Sequence, residues 1–206
     1  MARKAGLLGP ARQATLLETI VVIVALSIAG VGLIYPSPQP PTPVKLIGAP
    51  TGDVLQVPSL KVQAPLVSVK MSKDAQLDPP RNPRQVGYWS GSSAPGALTG
   101  QTLVTGHTVH TGGGALDKLG TVKVGQPVVI FRKYSGQVQR TKYRITSVKT
   151  YSKKQIATQA PTLFGQDRGK GRLLLITCTG WDGQEYHGNT LVTAKRLGTE
   201  VAALRA

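Results

Sequence analysis

The chain has 206 residues, of which 40% are hydrophobic and 17% are charged, and this composition excludes a wholly disordered protein because most of the chain can bury a core. Its 25 lysines and arginines outnumber its 9 acidic residues and give a formal net charge of +16, which favours an anionic neighbour such as nucleic acid, lipid or a cell-wall polymer. The single cysteine excludes an intrachain disulfide.

A basic segment and a long apolar run open the chain. Residues 1–15 form a tail that carries Arg3, Lys4 and Arg12 and no acidic residue. Residues 16–35 are apolar almost throughout, and about 20 residues is the length that a helix needs to cross a bilayer. The basic flank predicts a transmembrane anchor with a cytoplasmic N-terminus and an extracellular remainder. A cleaved signal peptide is the weaker alternative, because no clear cleavage site follows.

A proline-rich linker, residues 36–53, separates this anchor from a domain of short strands at 54–198, and a tail follows at 199–206. Apolar runs predict strands at 60–70, 101–106, 126–134, 140–152, 172–178 and 189–197. Short helical turns are predicted near 83–88, 115–119 and 153–157. Many short strands divided by turn residues indicate an all-β sandwich or barrel.

Cys178 ends the apolar run RLLLITC, and a polar, glycine-rich loop follows it. This position predicts a thiol that faces an open site, because a structural cysteine lies more often inside such a run. A neutral thiol attacks a carbonyl poorly, and a nearby imidazole can stabilise the thiolate and later protonate a leaving amine. His107 is the best partner, since it directly follows the predicted strand QTLVTG. Only the fold can bring two residues so distant in the chain together.

Three segments in chain order resemble the sortase family, and within it the actinobacterial class F type. LLITC at 174–178 is similar to the family's TLxTC signature, in which the active cysteine is last. VTGHTVH at 104–110 is similar to the segment around the family's active histidine. GYWSGSSAPGALTGQTLVTGH at 87–107 resembles the class F stretch that leads into that histidine. The resemblance covers roughly residues 55–197.

This resemblance implies a closed sortase-type β-barrel of about eight strands with short helices, preceded by the transmembrane helix. It also implies a membrane-anchored cysteine transpeptidase with Cys178 as the nucleophile and His107 as the acid–base partner. Cys178 would cleave an LPxTG-like sorting motif of a surface protein and form a thioester. An amine of a peptidoglycan precursor or of a pilin would then resolve the thioester. This chemistry needs no metal or organic cofactor.

The family also has an arginine that holds the substrate and polarises its carbonyl, and this sequence departs from that pattern. Counting back from Ala194 by the family spacing gives Asn189 in place of the arginine. An asparagine amide can still donate hydrogen bonds to an oxyanion, though without charge. His187 is the second candidate, because the stretch Tyr186-His187-Gly188-Asn189 is similar to a class F pattern and an imidazole becomes charged at acid pH.

Further candidate substrate contacts are Thr105, Thr177, Trp181, Tyr186 and His110. Each has a structural alternative, because threonine is common in any strand, aromatic residues can simply pack a loop, and a loop histidine often has no special role. The spacing of the three histidines and one cysteine matches no standard zinc pattern, so we predict no metal site.

The basic residues spread over the domain, Lys153 and Lys154 among them, are typical of a solvated surface. An exported domain without a recognition motif is not expected to bind nucleic acid, and we expect a monomer. Two alternatives to a transpeptidase stay open. One is a thiol hydrolase of the same fold, which releases its acyl group to water. The other is a non-catalytic basic module that binds the cell wall.

Overall fold

The computed structural model describes residue 50 and residues 52–73, 76–166 and 169–203. The predicted cytoplasmic tail (1–15), the predicted anchor (16–35) and most of the predicted linker (36–53) lie outside the described residues. Within the described ranges, no helix is long and apolar enough to cross a bilayer.

Eight strands build the domain: β1 (Val54–Val57), β2 (Val62–Val69), β3 (Val86–Trp89), β4 (Gln101–Gly106), β5 (Pro127–Tyr134), β6 (Gln137–Ser152), β7 (Arg172–Trp181) and β8 (Tyr186–Ala203). They close into a barrel in the order β1-β2-β3-β4-β7-β8-β6-β5, with β1 pairing back onto β5. The pairs β2–β3 and β4–β7 are parallel. The predicted closed barrel of about eight strands with few helices is confirmed. Strand β8 continues into the segment 199–206 that sequence analysis treats as a tail.

The barrel interior is apolar because successive residues of a strand point to opposite faces. On β7, Leu173 and Leu175 are fully buried and belong to the interior core cluster. The residue between them, Leu174, instead joins Leu103 and Leu191 in a separate cluster on the outer face. Burial of one such side chain stabilises the fold by about 1.5–3 kcal/mol. Strand β7 is therefore covered on both faces, as its continuous apolar run predicts.

The one described α-helix, α1 (Lys153–Phe164), begins where β6 ends. Ser152 is its N-cap, and Ser152 and Gln155 exchange hydrogen bonds between side chain and backbone in a capping box. The helix packs on the outer-face cluster through Ile156, Leu163 and Phe164. It is longer than the turn predicted at 153–157 and continues through Pro161.

A turn is predicted near 83–88, and the chain does turn at 82–85, where the Gln85 backbone N–H donates to the Asn82 carbonyl, but strand β3 begins at Val86, so the prediction is wrong over 86–88. Strand β3 pairs in parallel with β2 and antiparallel with β4, and these long-range partners decide its conformation rather than local preference. Near the other predicted turn, 115–119, the chain forms a 3₁₀-helix at Leu119–Thr121.

The outer face of strands β6, β8, β7 and β4 presents its side chains in transverse rows, because paired residues of neighbouring strands point to the same side. The row at one end consists of Tyr151, Asn189 and Cys178. The row at the other end consists of Arg144, Lys195, Arg172 and Gln101. Apolar side chains of the outer-face cluster lie between these two rows, which are about 20 Å apart along β7.

Candidate active site

Cys178 lies near the end of β7 and is half-buried. The alternation along this strand sends Leu173 and Leu175 into the barrel and Leu174 to the outer face, so Cys178 also points outward. Burial raises the pKa of the Cys178 thiol, and the positive charge of Lys153 lowers it in part. A half-buried thiol of this kind is mostly protonated at neutral pH and needs a base to react.

The parallel pairing of β4 and β7 brings His107 next to Cys178. The last paired residues are Thr105 and Ile176, and the same register continued by two residues sets His107 opposite Cys178. Both residues are an even number of steps from that pair, so both face outward. The predicted partners, distant in sequence, therefore lie at the ends of two neighbouring strands, with Cys178 on β7 and His107 directly after β4.

A backbone carbonyl fixes the orientation of the His107 ring. The His107 Nε2 atom lies 2.8 Å from the Pro80 carbonyl oxygen. A carbonyl only accepts hydrogen bonds, so Nε2 carries the hydrogen and donates it. In the neutral ring, Nδ1 is then the atom that is free to accept a proton.

Hydroxyl groups connect β7 to the end of β4 on the interior side of Cys178 and His107. The Thr177 hydroxyl donates to the Gly106 carbonyl at 2.9 Å and lies 2.6 Å from the Thr108 hydroxyl. Thr177 is buried and faces the barrel interior, because it alternates with Cys178. The Thr177 hydroxyl thus ties β7 to the strand end that precedes His107.

Asp117 holds the segment that follows His107. Its two carboxylate oxygens accept hydrogen bonds from the backbone of Val109 at 2.7 Å and of Gly114 at 3.0 Å. The His107 carbonyl accepts a further hydrogen bond from the backbone of Leu116, whose side chain is fully buried in the core. The segment is thus closed on itself and anchored to the interior of the barrel.

Asn189 lies on the other side of Cys178. The two residues are direct partners in the antiparallel pair β7–β8. The Asn189 side-chain nitrogen is 3.4 Å from the Thr177 carbonyl oxygen and 4.0 Å from the Cys178 sulfur. An uncharged amide donor therefore occupies the place beside the thiol where the family resemblance implies an arginine.

Charged side chains gather at the hairpin that joins β7 and β8. His187 Nε2 contacts the Asp182 carboxylate, and His187 Nδ1 lies 3.9 Å from Glu185. Backbone hydrogen bonds from Glu185 and Gln184, and then the one from His187, hold the pKa of Asp182 well below its usual range. The Lys153 ammonium group lies 2.7 Å from Glu185. His187 is thus bound to carboxylates at the exposed rim of the site.

Aromatic rings connect the hairpin to the segment after His107. The His110 and Trp181 rings stack with their centroids 4.3 Å apart and their planes 4° from parallel. Trp181 also contacts Tyr186, with the ring centroids 5.0 Å apart. Both predicted substrate contacts of the hairpin therefore pack against one another, and His110 covers one face of Trp181.

Thr105 is buried on β4, one row of side chains away from Cys178, where it pairs with Ile176 of β7 and Gly87 of β3. Its side chain points outward like that of its partner Ile176, which packs on the outer-face cluster, so Thr105 lies away from the open end of the face. The outer face thus brings together Cys178, His107 and Asn189, while His187, Trp181, Tyr186 and His110 surround them.

Sequence reasoning missed four residues of this site: Pro80, Thr108, Asp117 and Lys153. No motif marks Pro80 or Lys153, because their contacts come from distant segments. Asp117 carries a weak local signal, since aspartate commonly accepts hydrogen bonds from nearby loop backbone. Among the described residues, no group of three or more histidine, cysteine or acidic side chains is arranged to hold a metal ion.

Comparison with known proteins identifies the domain. The sequence model of the Sortase domain matches residues 55–197. No curated protein sequence matches the chain. Among solved structures, the lid mutant of sortase A from Corynebacterium diphtheriae is similar with a TM-score of 0.55 at 21% identity, covering 72% of this chain and 70% of that chain.

Two further solved structures have the same fold. Sortase C-1 from Actinomyces oris has a TM-score of 0.54 at 20% identity, covering 70% of this chain and 72% of that chain. Sortase E1 from Streptomyces coelicolor, solved with a tripeptide in its active site, has a TM-score of 0.54 at 20% identity, covering 73% of this chain and 90% of that chain. The domain match spans well over half of the sequence and contains Cys178, His107 and Asn189. The chain belongs to the sortase family, whose members are cysteine transpeptidases.

Proposed function

We propose that this protein is an active transpeptidase that cleaves an LPxTG-like sorting motif through a thioester on Cys178 and transfers the acyl group to an amine. The observation that carries the proposal is the strand register that sets His107 and Asn189 on the two sides of the only thiol in the sequence. Such a nucleophile, base and donor on neighbouring strands is the arrangement that acyl transfer requires.

The first step forms the acyl-enzyme. His107 Nδ1 takes the thiol proton, because Nε2 is already committed to the Pro80 carbonyl. The Cys178 sulfur then attacks the carbonyl carbon between threonine and glycine of the motif. Collapse of the tetrahedral intermediate breaks the C–N bond, and the proton on Nδ1 passes to the leaving amine. A thioester on Cys178 and a neutral His107 are left.

The second step reverses these roles. An incoming amine attacks the thioester carbonyl and gives its proton to His107 Nδ1. The C–S bond breaks, and the thiolate recovers the proton. The Asn189 amide is our first candidate to donate a hydrogen bond to the developing oxyanion in both steps, since its nitrogen lies 4.0 Å from the sulfur. His187 is the second candidate, although its ring already binds Asp182.

We further propose a class F type of sortase that is anchored in the membrane by residues 16–35, with a cytoplasmic N-terminus and an extracellular catalytic domain. The apolar run and its basic flank support this topology. The proposed partners are surface proteins that carry a sorting motif and an acceptor amine on a peptidoglycan precursor or a pilin.

One observation keeps a non-catalytic wall-binding module as the second candidate. Beside Cys178, the position where the family pattern has an arginine is occupied by the uncharged Asn189, and burial raises the pKa of the thiol. A weakly nucleophilic thiol whose direct neighbour on β8 carries no charge is compatible with a domain that only binds the wall through its basic surface.

Thioester trapping tests the proposal. The full-length protein in detergent is mixed with a panel of fluorogenic LPxTG-like peptides, with and without triglycine, and its intact mass is followed beside Cys178→Ala. We expect an acyl adduct that is absent in Cys178→Ala and that triglycine resolves faster than water does.

The other outcomes separate the alternatives. An adduct that water resolves as fast as triglycine indicates a thiol hydrolase. No adduct with any peptide, together with binding of the folded protein to purified cell wall, favours the binding module and rejects the transpeptidase.

A further inference from the structure

The first residue of α1 lies close to Cys178, because the pairing of β6 with β8 and of β8 with β7 brings the start of the helix to the thiol. Ser152, the last residue of β6, pairs with Gly188 of β8, and Gly188 pairs with Thr179, the neighbour of Cys178. Strands β6 and β8 are so close here that a Cβ atom added to Gly188 would lie only 2.4 Å from the Tyr151 carbonyl oxygen. Lys153 directly follows Ser152, so it begins α1 beside the row that contains the thiol.

An ion pair keeps the Lys153 side chain at this end of the face. Its ammonium group lies 2.7 Å from the Glu185 carboxylate, and both side chains are about 60% exposed, at 61% and 60%. Glu185 belongs to the hairpin that leads from Cys178 to Asn189. The ion pair therefore holds the Lys153 ammonium group across the opening from β6 to the hairpin.

We propose that Lys153 is the positioning residue that supplies positive charge to the Cys178 thiolate in place of the family arginine, and that Glu185 sets how strongly it does so. This inference rests on the proposed function for its biological meaning, but not for its test. Asn189 provides a hydrogen bond without charge, and Lys153 provides charge without direct contact.

The electrostatics around the thiol agree with this assignment. Burial raises the pKa of Cys178, and among the described charged residues Lys153 is the one whose charge lowers it. The titratable groups that the surrounding elements bring to this end of the face are His107, His110 and Asp117 after β4, Tyr151 of β6, Lys153 of α1, Asp182 and Glu185 of the hairpin, and Tyr186 and His187 of β8. Of these groups, Lys153 is the only lysine or arginine.

Lys154 provides a matched control. It is the next residue of the same helix and is also exposed. No carboxylate of the described residues lies within ion-pair distance of it, and Lys154 is not among the causes of the shift in the Cys178 pKa. Any general effect of removing a lysine from the start of α1 should therefore appear equally in Lys154→Met.

The pH dependence of Cys178 alkylation tests the inference. The full-length protein is treated with iodoacetamide from pH 6 to the onset of alkaline unfolding, and the mass shift reports Cys178 alone because the sequence has one cysteine. We expect Lys153→Met to react roughly threefold more slowly at neutral pH, since the rate follows the thiolate fraction. Lys153→Arg should restore the rate, and Lys154→Met should leave it unchanged.

Glu185→Gln should give a change of opposite sign, which loss of the ion pair alone would not produce, because Lys153→Met and Glu185→Gln break the same pair. It frees Lys153 from its ion pair, so we expect faster alkylation than in the native protein. In the double variant with Lys153→Met, the gain should disappear, because Glu185 acts through Lys153.

An unchanged alkylation profile in folded Lys153→Met overturns the inference, and so does an equal change in Lys154→Met. If Lys153→Met fails to fold, Glu185→Gln decides: no acceleration overturns the proposal. None of these measurements uses a sorting peptide, so a failed search for transfer activity leaves this result intact.

Discussion

The two sides of Cys178 are built from different interactions. On the β4 side, His107 is held by hydrogen bonds among backbone groups, hydroxyls and one carboxylate, all of them at least partly buried. On the β8 side, charged groups of the hairpin pair with one another at the surface, and the Lys153–Glu185 pair is more than half exposed.

The β4 side therefore fixes the position of His107, whereas the β8 side sets the electrostatic environment of the Cys178 thiolate. Buried hydrogen bonds depend little on salt, and leaving one partner without the other costs free energy. Exposed ion pairs contribute little to stability and are screened by salt. We therefore expect proton transfer through His107 to depend on fixed geometry. The electrostatic environment of the thiolate should instead respond to substitution, salt and pH.

The largest effect should come from the β4 side. We expect His107→Gln to slow acyl-enzyme formation by about 10²–10⁴-fold, because glutamine cannot take the thiol proton or protonate the leaving amine. Intact-mass measurement of the peptide adduct gives the rate. His110→Gln is the matched control, since His110 lies in the same segment but stacks on Trp181. Equal losses in both variants would mean that the segment matters and the His107 ring does not.

A smaller effect is expected at the direct β8 neighbour of the thiol. Asn189→Ala removes the amide donor and should slow acyl transfer by about 10²-fold, whereas Asn189→Arg adds a charged donor and should raise the rate above that of the native protein. Full activity in Asn189→Ala would move the oxyanion role to His187, and His187→Ala should then show the loss.

The side-chain hydrogen bond that connects β7 to the end of β4 should contribute to the free energy of unfolding. Thr177→Val keeps the shape of the side chain but removes the hydroxyl that bonds the Gly106 carbonyl. We expect the free energy of unfolding to fall by about 1–3 kcal/mol in urea titration. Thr190→Val is the control, because Thr190 is buried opposite Thr177 and its side chain has no hydrogen-bond partner among the described residues. A similar loss in both would assign the effect to burial alone.

A more modest loss of activity should follow from Gly114→Ala. A Cβ atom there would lie 2.3 Å from the Asp117 carboxylate and 2.6 Å from the His107 carbonyl oxygen. The Asp117 carboxylate and the His107 backbone must both move to make room for it, which should slow acylation roughly tenfold. Gly120→Ala is the control, since its nearest contact is an ordinary 3.6 Å. Unaltered kinetics in Gly114→Ala would show that the backbone position of His107 is not critical.

Salt and pH should have the smallest effect. Because burial raises the pKa of Cys178, alkylation of the native protein should still be rising with pH where an ordinary thiol has levelled off. In 1 M salt, where the screening length is about 3 Å, we expect alkylation at neutral pH to slow by less than about threefold. Faster alkylation in high salt would mean that the net charge beside the thiol is negative, which contradicts the role given to Lys153.

The barrel itself was predictable because it is encoded in local patterns. The run 101–106 became β4 at its predicted limits, and 172–178 became most of β7. Strand β3 was mistaken for a helical turn, since its partners come from distant segments. Helix α1 was underestimated, although Ser152 and Gln155 have the spacing of a capping box.

The reactive pair was predictable by resemblance, while its surroundings were not. Cys178 and His107 lie in recognisable motifs, but their juxtaposition depends on a register between β4 and β7 that no local pattern contains. The Pro80 carbonyl contributes a backbone atom, which leaves no mark in the side-chain pattern. Lys153 was interpreted as one of many surface lysines, because only the fold brings it to the hairpin.

The solitary, half-buried thiol also bears on oxidative damage. Oxidants attack thiolates, so the burial that keeps Cys178 protonated also slows its oxidation. A sulfenic acid at this position finds no second cysteine in the sequence to condense with, and its repair depends on a thiol from another molecule. The same burial should therefore slow both the attack of Cys178 on a carbonyl and the oxidation of its thiol.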